Sequence, residues 1–594
     1  CKYTRASWRQ MTDESGAKII DTEEPLLDDA APRRPASPAP MNFKPRPRPL
    51  ARRFPVIEMA REGTYWVARI WFRGVFYSNS LRGRRPQALT LIPEENWPGS
   101  SDRGAGLVEG RFRFLNHTLN AEDAFSKALE AGPAWQAELH SFDWLRDMRA
   151  VGTEAARIQA RNCVASWISA NPKWDPLTWR PDVLSSRLCN WLTHAEFVSA
   201  GADASFASLF LDNIARQVKH LRRVARFMPD GIDRMMVTKA RVYAALCLPG
   251  GARYAPRLVK IVAAMCERQI LPDGGHIERN PKAQMAALRH LIDLRAVLQA
   301  SNIDVPEALQ RAIDRAAPML RFYRHGDGGL ALFNGANEGE AWLIDVVLTK
   351  AESRGKPVTS APHTGFERFM ANRTLVIADS GAPSAVGKGV HAGTLSFEMS
   401  VGKQRIVVNC GAYAGRDERW KLAQRSTAAH STMIVDDRNS TELRDDGSIG
   451  MRPENVTAER LEADGNTWLD LSHDGYLGPL GLIHRRRIYV NASGTDVRGE
   501  DTLEGMGEHR FAIRFHLHPS VKVSLVKDGA SVLLRLPDKS GWRMRYSGGV
   551  ASLQESIYLG DGHESRRSEQ IVISGASSQG EAKVKWALTR LSDS

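Results

Sequence analysis

The sequence predicts an α+β chain in which a helical half is followed by a large antiparallel β half. Three observations predict it. The chain has 594 residues, too many for one compact core. Between about 121 and 325, apolar residues recur every three or four positions. Past about 360 the period drops to two, in β-branched and aromatic runs separated by Gly, Asp and Asn turns. Hydrophobic residues at 42% and charged residues at 25% are globular values, which excludes disorder over most of the chain. No apolar run reaches the roughly 18 residues a membrane span needs, so no transmembrane segment is expected.

Residues 1–55 have no periodic pattern. Pro32 to Pro55 holds eight prolines interleaved with arginines, and such a segment is expected to be a flexible Arg/Pro-rich tail. Residues 56–120 form a small mixed segment, where Ile70-Trp71-Phe72 and Arg111–Phe114 alternate like short strands. The helical domain spans 121–355. Its segments are Ala155–Ile168, Val183–Phe197, Phe206–Phe227, Val237–Leu246, Ala255–Ile270, Gln284–Leu298 and Val305–Phe322. Breaks such as Pro229-Asp-Gly231 and Pro272-Asp-Gly-Gly275 separate them, as expected of antiparallel helices in a layered domain or toroid. The β domain spans 356–594. Thr374–Ala378, Thr394–Ser400, Gln404–Asn409, Ser431–Val435, Arg486–Val490, Arg510–His518 and Ser531–Leu536 read as strands of a sandwich.

The densest polar cluster is Leu271-Pro-Asp-Gly-Gly-His-Ile-Glu-Arg-Asn-Pro281, a turn between helices. His276, Glu278, Arg279 and Asn280 could bind substrate or move protons there, or simply cap the turn. Arg187 and Trp191 are four apart and share a helix face. An arginine beside an aromatic ring suits an acidic sugar, and a tryptophan at helical spacing equally suits a core. In the β half, His391 and His430 each precede a strand, with Asn409 and Tyr413 after another. They read either as satisfied structural groups or as a site.

Missing motifs argue against several chemistries, namely nucleotide, serine-hydrolase, metalloprotease and dehydrogenase chemistry. The chain has no Gly-Lys-Ser/Thr phosphate loop, no Gly-x-Ser-x-Gly nucleophile turn, no His-Glu-x-x-His helix and no dinucleotide fingerprint. Its six cysteines form no Cys-x-x-Cys pair and read as small buried hydrophobes. The formal charge of +13 suits nucleic acid, an anionic surface or an acidic substrate. Neither Cys1 nor Met41 is followed by a secretory signal, so the default location is the cytoplasm; an incomplete N-terminus would shift that expectation to the cell envelope or periplasm.

The order and spacing of Asp273-Gly-Gly-His276-Ile-Glu278-Arg-Asn280, Gly365-Phe-Glu-Arg368, His391-Ala-Gly-Thr-Leu-Ser-Phe-Glu398, Asn409-Cys-Gly411 and Ala429-His430-Ser-Thr resemble the heparinase II/III-like proteins, in the flavour common in alphaproteobacteria. The resemblance runs from about Trp97 to the last strands. It implies an incomplete α/α toroid followed by a β-sandwich, and a bacterial polysaccharide lyase that cleaves an acidic, uronic-acid-containing polymer such as a glycosaminoglycan by β-elimination. No organic cofactor is implied. By matching motif positions, His276 would neutralise the substrate carboxylate or act as base. Tyr323 or Tyr413 would donate or take the proton, and His391 and His430 would complete the β side. Arg187, Trp191, Glu278, Arg279 and Asn280 would bind substrate. His391, Asn409 and His430 would hold a structural zinc where one is bound. The chain departs from the pattern in three places. Gly393 and Asn409 stand where relatives carry acids, and Gly329–Asn334 lacks the tyrosine expected some fifty-odd residues beyond the toroid His or Asn. These departures keep a second expectation in view, a non-catalytic polyanion-binding protein of surface-polysaccharide metabolism. The expected partner is an anionic polysaccharide rather than nucleic acid.

Overall fold

A computed structural model describes residues 55–591, apart from 84, 122–124, 126–127, 388, 416, 446, 527–528, 563 and 578–581. The Arg/Pro-rich segment thus lies outside the described residues, except for its last position.

Two concentric sets of helices build the first half. Pro133–Ser141, Pro181–Thr193, Ile232–Cys247 and Pro281–Ala300 pack side by side as an inner set. Glu154–Ala170, Ala204–Val224, Ala255–Gln269 and Glu307–Phe322 lie outside them. The sequence explains which helix goes where. Pro181–Thr193 and Pro281–Ala300 are buried nearly all round, whereas Glu307–Phe322 buries a stripe of Leu309, Ala312, Ile313, Ala316 and Leu320. Local chemistry starts several of them: Thr153, Asp203 and Asn280 cap the first free N–H groups, and Pro181 and Pro281 occupy first-turn positions whose N–H needs no partner. This is the toroid-like layer the three- and four-residue spacing predicts.

The second half is a sandwich of two antiparallel sheets. An eight-stranded sheet runs in the order 522–526, 531–535, 541–547, 582–590, 496–504, 483–490, 466–473, 456–463. A nine-stranded sheet runs 550–558, 566–577, 509–517, 404–408, 397–401, 374–379, 366–371, 360–361, with 433–435 added beside 509–517. Their inner faces share one core, in which Phe397 of one sheet stacks on Trp586 of the other at 5.4 Å. Arg486 crosses the same gap, pairing with Asp501 and donating to the carbonyls of Leu395 and Ser431.

Two expectations need correction. Ile70-Trp71-Phe72 ends the helix Pro55–Phe72 instead of forming a strand, because the helix opened at Pro55 runs through Gly63 and stops only at Arg73-Gly74. Arg111–Phe114 is a strand, as its alternation predicts, paired with His117–Asn120. The strand expected from Thr394 starts only at Phe397, since Leu395 takes a left-handed φ of 63° that no strand accommodates. Cys163, Cys189, Cys247, Cys266 and Cys410 are buried free thiols. Among the described residues no helix is long and apolar enough to cross a membrane.

Candidate active site at the seam of the two halves

The turn 271–280 is where the helical half meets the sandwich, and most of its polar groups are spent on that junction. Asp273 accepts hydrogen bonds from the Thr364 hydroxyl and from the backbone of His363 and Thr364. Arg279, with a left-handed φ of 56°, donates to the carbonyls of Thr364, Gly365 and Ala382 and pairs with buried Asp379. Glu278 accepts from the Ile232 backbone. Asn280 caps the helix Pro281–Ala300 through Oδ1 and donates through Nδ2 to the Asn334 carbonyl at 2.7 Å. Asn334 in turn donates its side chain to the Arg279 carbonyl.

His276 is 1% exposed. Its ring faces Gln269 at 3.3 Å, its backbone N–H donates to Gln284, and burial pushes its pKa down to about 3. It is a neutral, enclosed group. Arg187 and Trp191 do share a helix face, and that face is the core. The Arg187 guanidinium lies 4.0 Å from the Trp167 ring and donates to His140 and Gln217, while Trp191 packs between Phe142, Trp167 and Phe210. Neither presents surface to a sugar in this arrangement, which corrects the platform reading. Tyr323 caps the helix Glu307–Phe322 and is buried edge-on against Phe322 and Phe366. Tyr413 is half-buried beside Trp420.

His391 and His430 come together across 39 residues. His391 Nδ1 lies 3.0 Å from His430 Nε2, with the rings at 85°. Their tautomers follow from the outer partner. His430 Nδ1 is 2.7 Å from the Ser426 carbonyl, which can only accept, so that nitrogen carries the proton. Burial holds both rings neutral, with His430 down to about 4 and His391 well below its usual range. His430 Nε2 therefore accepts, His391 Nδ1 donates, and His391 Nε2 keeps a lone pair. The backbone on both sides of His391 is clamped: the Val390 carbonyl accepts from Arg425, and the Ala392 carbonyl accepts from the Thr427 hydroxyl. A side chain on Gly335 would meet His391 Nε2, the Gly389 carbonyl and Asn280 Nδ2 at 3.3–3.5 Å, so these three polar groups converge on one backbone point. Gly335 has φ 86°, which only glycine takes cheaply.

The departures at 393 and 409 have a shared physical account. A Cβ on Gly393 would lie 2.6 Å from the His430 ring, so the ring fills the space of any side chain there. Asn409 is consumed by Glu398 and by the Ser431 backbone N–H. With the two histidines turned toward each other and Asn409 engaged, these groups do not fit a zinc ion as arranged. Among the described residues no cluster of three or more His, Cys, Asp or Glu is placed to hold a metal.

Sequence reasoning passed over a second buried pair. His325 Nε2 lies 2.9 Å from Glu398, whose other oxygen accepts from the backbones of Leu332 and Asn409. Glu398 thereby ties the segment carrying Asn334 to the strand leading to Asn409. The turn Arg324-His-Gly-Asp-Gly-Gly-Leu330 closes through the same kind of bridge as Ile270–His276, and that likeness was the available signal.

The comparisons agree with this fold. The heparinase II/III N-terminus family matches residues 118–343, and the heparinase II/III-like C-terminal family matches 353–587. A curated relative, the FtsZ-localized protein C of Caulobacter vibrioides, is 30% identical over 561 residues, 88% of this chain and 94% of its own length. Among solved structures, a heparinase III matches at 14% identity with a TM-score of 0.70, over 91% of this chain and 93% of that one. A heparan sulfate lyase from Pedobacter heparinus matches at 14% identity with a TM-score of 0.58, over 91% and 92%. At that identity the two structures speak for the fold alone.

Proposed function

The chain belongs to the heparinase II/III-like family, and from that membership we propose that it is a polysaccharide lyase cleaving an acidic, uronic-acid-containing polymer by β-elimination. The observation that supports this most is the tautomer-fixed pair His391–His430. An elimination needs a base at C5 of the uronate, and the lone pair on His391 Nε2 suits that task. As the C5–H bond breaks, its electron pair forms the C4–C5 double bond and the O4-linked sugar departs. The proton gained by His391 Nε2 is then available to the leaving O4. The imidazolium formed meanwhile is stabilised through Nδ1–H to His430 and on to the Ser426 carbonyl. Asn280, with one amide hydrogen committed to Asn334, has a second to offer the substrate carboxylate. Tyr413 is the half-buried alternative proton donor.

The test is incubation with a panel of uronic-acid polymers while following the ultraviolet absorbance of the 4,5-unsaturated product. Signal on at least one polymer supports the proposal; a folded protein silent on all of them counts against it.

A second reading, a non-catalytic polyanion binder of surface-polysaccharide metabolism, draws on Asn334. It occupies the segment where the resemblance expects a tyrosine, and its side chain is bound to Arg279. The relative's name adds that such a protein would sit near FtsZ. Polymer binding without product, unchanged in His391→Ala, favours this reading.

A further inference from the structure

A pit of about 280 Å³ opens in the helical half, away from the seam residues. It lies among the inner helices Pro181–Thr193, Ile232–Cys247 and Pro281–Ala300, beginning more than a turn beyond their N-terminal ends, and is closed by residues 94–97 and 138–146. None of His276, Asn280, His391 or His430 lines it.

Its walls carry five carboxylates, Glu94, Glu95, Glu138, Asp143 and Asp293, against three cations, Arg146, Lys239 and Arg289. Most are already spent. Lys239 pairs with Asp293 at 2.9 Å, and Asp293 also accepts from the Trp97 indole. Arg146 pairs with Asp143, and Glu95 accepts from the Trp97 backbone and faces His194. Glu94 and Glu138 are exposed residues outside these ion pairs; the Glu138 carboxyl faces the pit, where desolvation and the neighbouring Asp143 raise its pKa while Lys282 and Arg146 act the other way. The Arg289 guanidinium lies over the Trp97 ring at 4.8 Å. Deeper in, His290 is nine-tenths buried and its Nδ1 has no hydrogen-bond partner, although the ring lines the pit. A buried polar atom without a partner is costly, and a hydroxyl-bearing ligand that shifts the ring relieves that cost. Asn190 and Ser186 add neutral hydrogen-bonding groups, and Trp97 and Tyr243 add aromatic surface.

We propose that this pit is a second binding site, which takes a single amino-sugar residue with its ammonium group at the Glu94–Glu138 mouth. The volume, just under the roughly 300–1,000 Å³ of small-molecule sites, fits one sugar ring. Polar groups around aromatic surface suit a hydroxylated ring, and the excess of carboxylates over cations in the lining, which raises the Glu138 pKa, favours a cationic ligand. The site is thus complementary to the opposite charge from the uronate expected at the seam, and it stands whether or not the chain is a lyase.

Titration of the full-length protein by calorimetry, with saturation-transfer NMR as a second readout, tests this with glucosamine, glucose, glucuronate and ethanolamine as probes. Glucosamine is expected to bind at least about tenfold more tightly than glucose or ethanolamine, the contribution of one charge-assisted hydrogen bond, and glucuronate not to bind. Glu138→Gln, at an exposed position, is expected to remove that margin without changing the melting temperature. No glucosamine binding, equal affinity for glucose, or an unchanged affinity in Glu138→Gln overturns the proposal. Ethanolamine binding as tightly as glucosamine overturns the sugar assignment. The probe comparison needs no variant, so misfolding of Glu138→Gln would not shield the idea.

Discussion

The turn around His276 and the pair His391–His430 carry the same kinds of residue to opposite ends. In the turn, Asp273, Glu278, Arg279 and Asn280 are joined to backbone groups within it and on neighbouring segments, and His276 is walled in by Gln269 and Gln284. In the pair, each proton is fixed by a neighbour, and the chain of bonds ends on a nitrogen with a free lone pair. The difference teaches that polar density in a sequence does not mark a reactive group. A group can react when its hydrogen bonds leave one atom over, and that is decided by partners far away in the chain.

The largest expected effect breaks the turn. Arg279→Ala removes three carbonyl contacts and strands the Asp379 carboxylate in the interior, so thermal unfolding should show a loss of about 3–5 kcal/mol. A loss under about 1 kcal/mol would mean the turn does not fasten the halves. His276→Gln comes next. It should cost about 1–3 kcal/mol in denaturant unfolding, through its enclosed hydrogen bonds, while leaving turnover nearly unchanged. A collapse in turnover with stability intact would move His276 from scaffold to chemistry.

Acid should then weaken the fold through these buried rings and that of His516, which is likewise buried. Burial lowers the pKa of His276 and His516 to about 3 and of His430 to about 4. Below the unfolded value near 6.5 the unfolded chain binds protons that the folded one refuses. Stability is therefore fully present above about pH 6.5 and falls toward pH 4, by up to about 1.4 kcal/mol per pH unit per histidine. Chemical denaturation at pH 7, 6 and 5 reads that slope; a flat profile would contradict the neutral assignment on which the tautomers rest. The smallest effect is expected at the half-buried Tyr413: Tyr413→Phe should change turnover only a few-fold, and a loss beyond about a hundredfold would make it the proton donor instead of His391.

Much of the fold was legible because it is written locally. The spacing in Phe206–Phe227 and Val305–Phe322 gives amphipathic helices, which form as Ala204–Val224 and Glu307–Phe322. The site was legible only in its ingredients. Arg187 and Trp191 share the predicted helix face, yet nothing local says that the face looks onto Trp167 and Phe210 and not onto solvent. His325 and Glu398 are 73 residues apart, and Arg279 and Asp379 are 100 apart. Pairings over such distances are set by how the two halves dock. Period and composition are blind to that, whereas the ordered motifs shared with a family carry it implicitly.

The central claim is that His391, and not His276, holds the reactive nitrogen. Its most direct test is the rate of unsaturated-product formation by the wild type, His391→Ala and His276→Gln on whichever uronate polymer gives the strongest signal. The account predicts a fall of about 10²–10⁴-fold for His391→Ala, with the protein still folded, and a rate within a few-fold of wild type for His276→Gln. Equal rates for the wild type and His391→Ala, or the reverse ranking of the two variants, would contradict it.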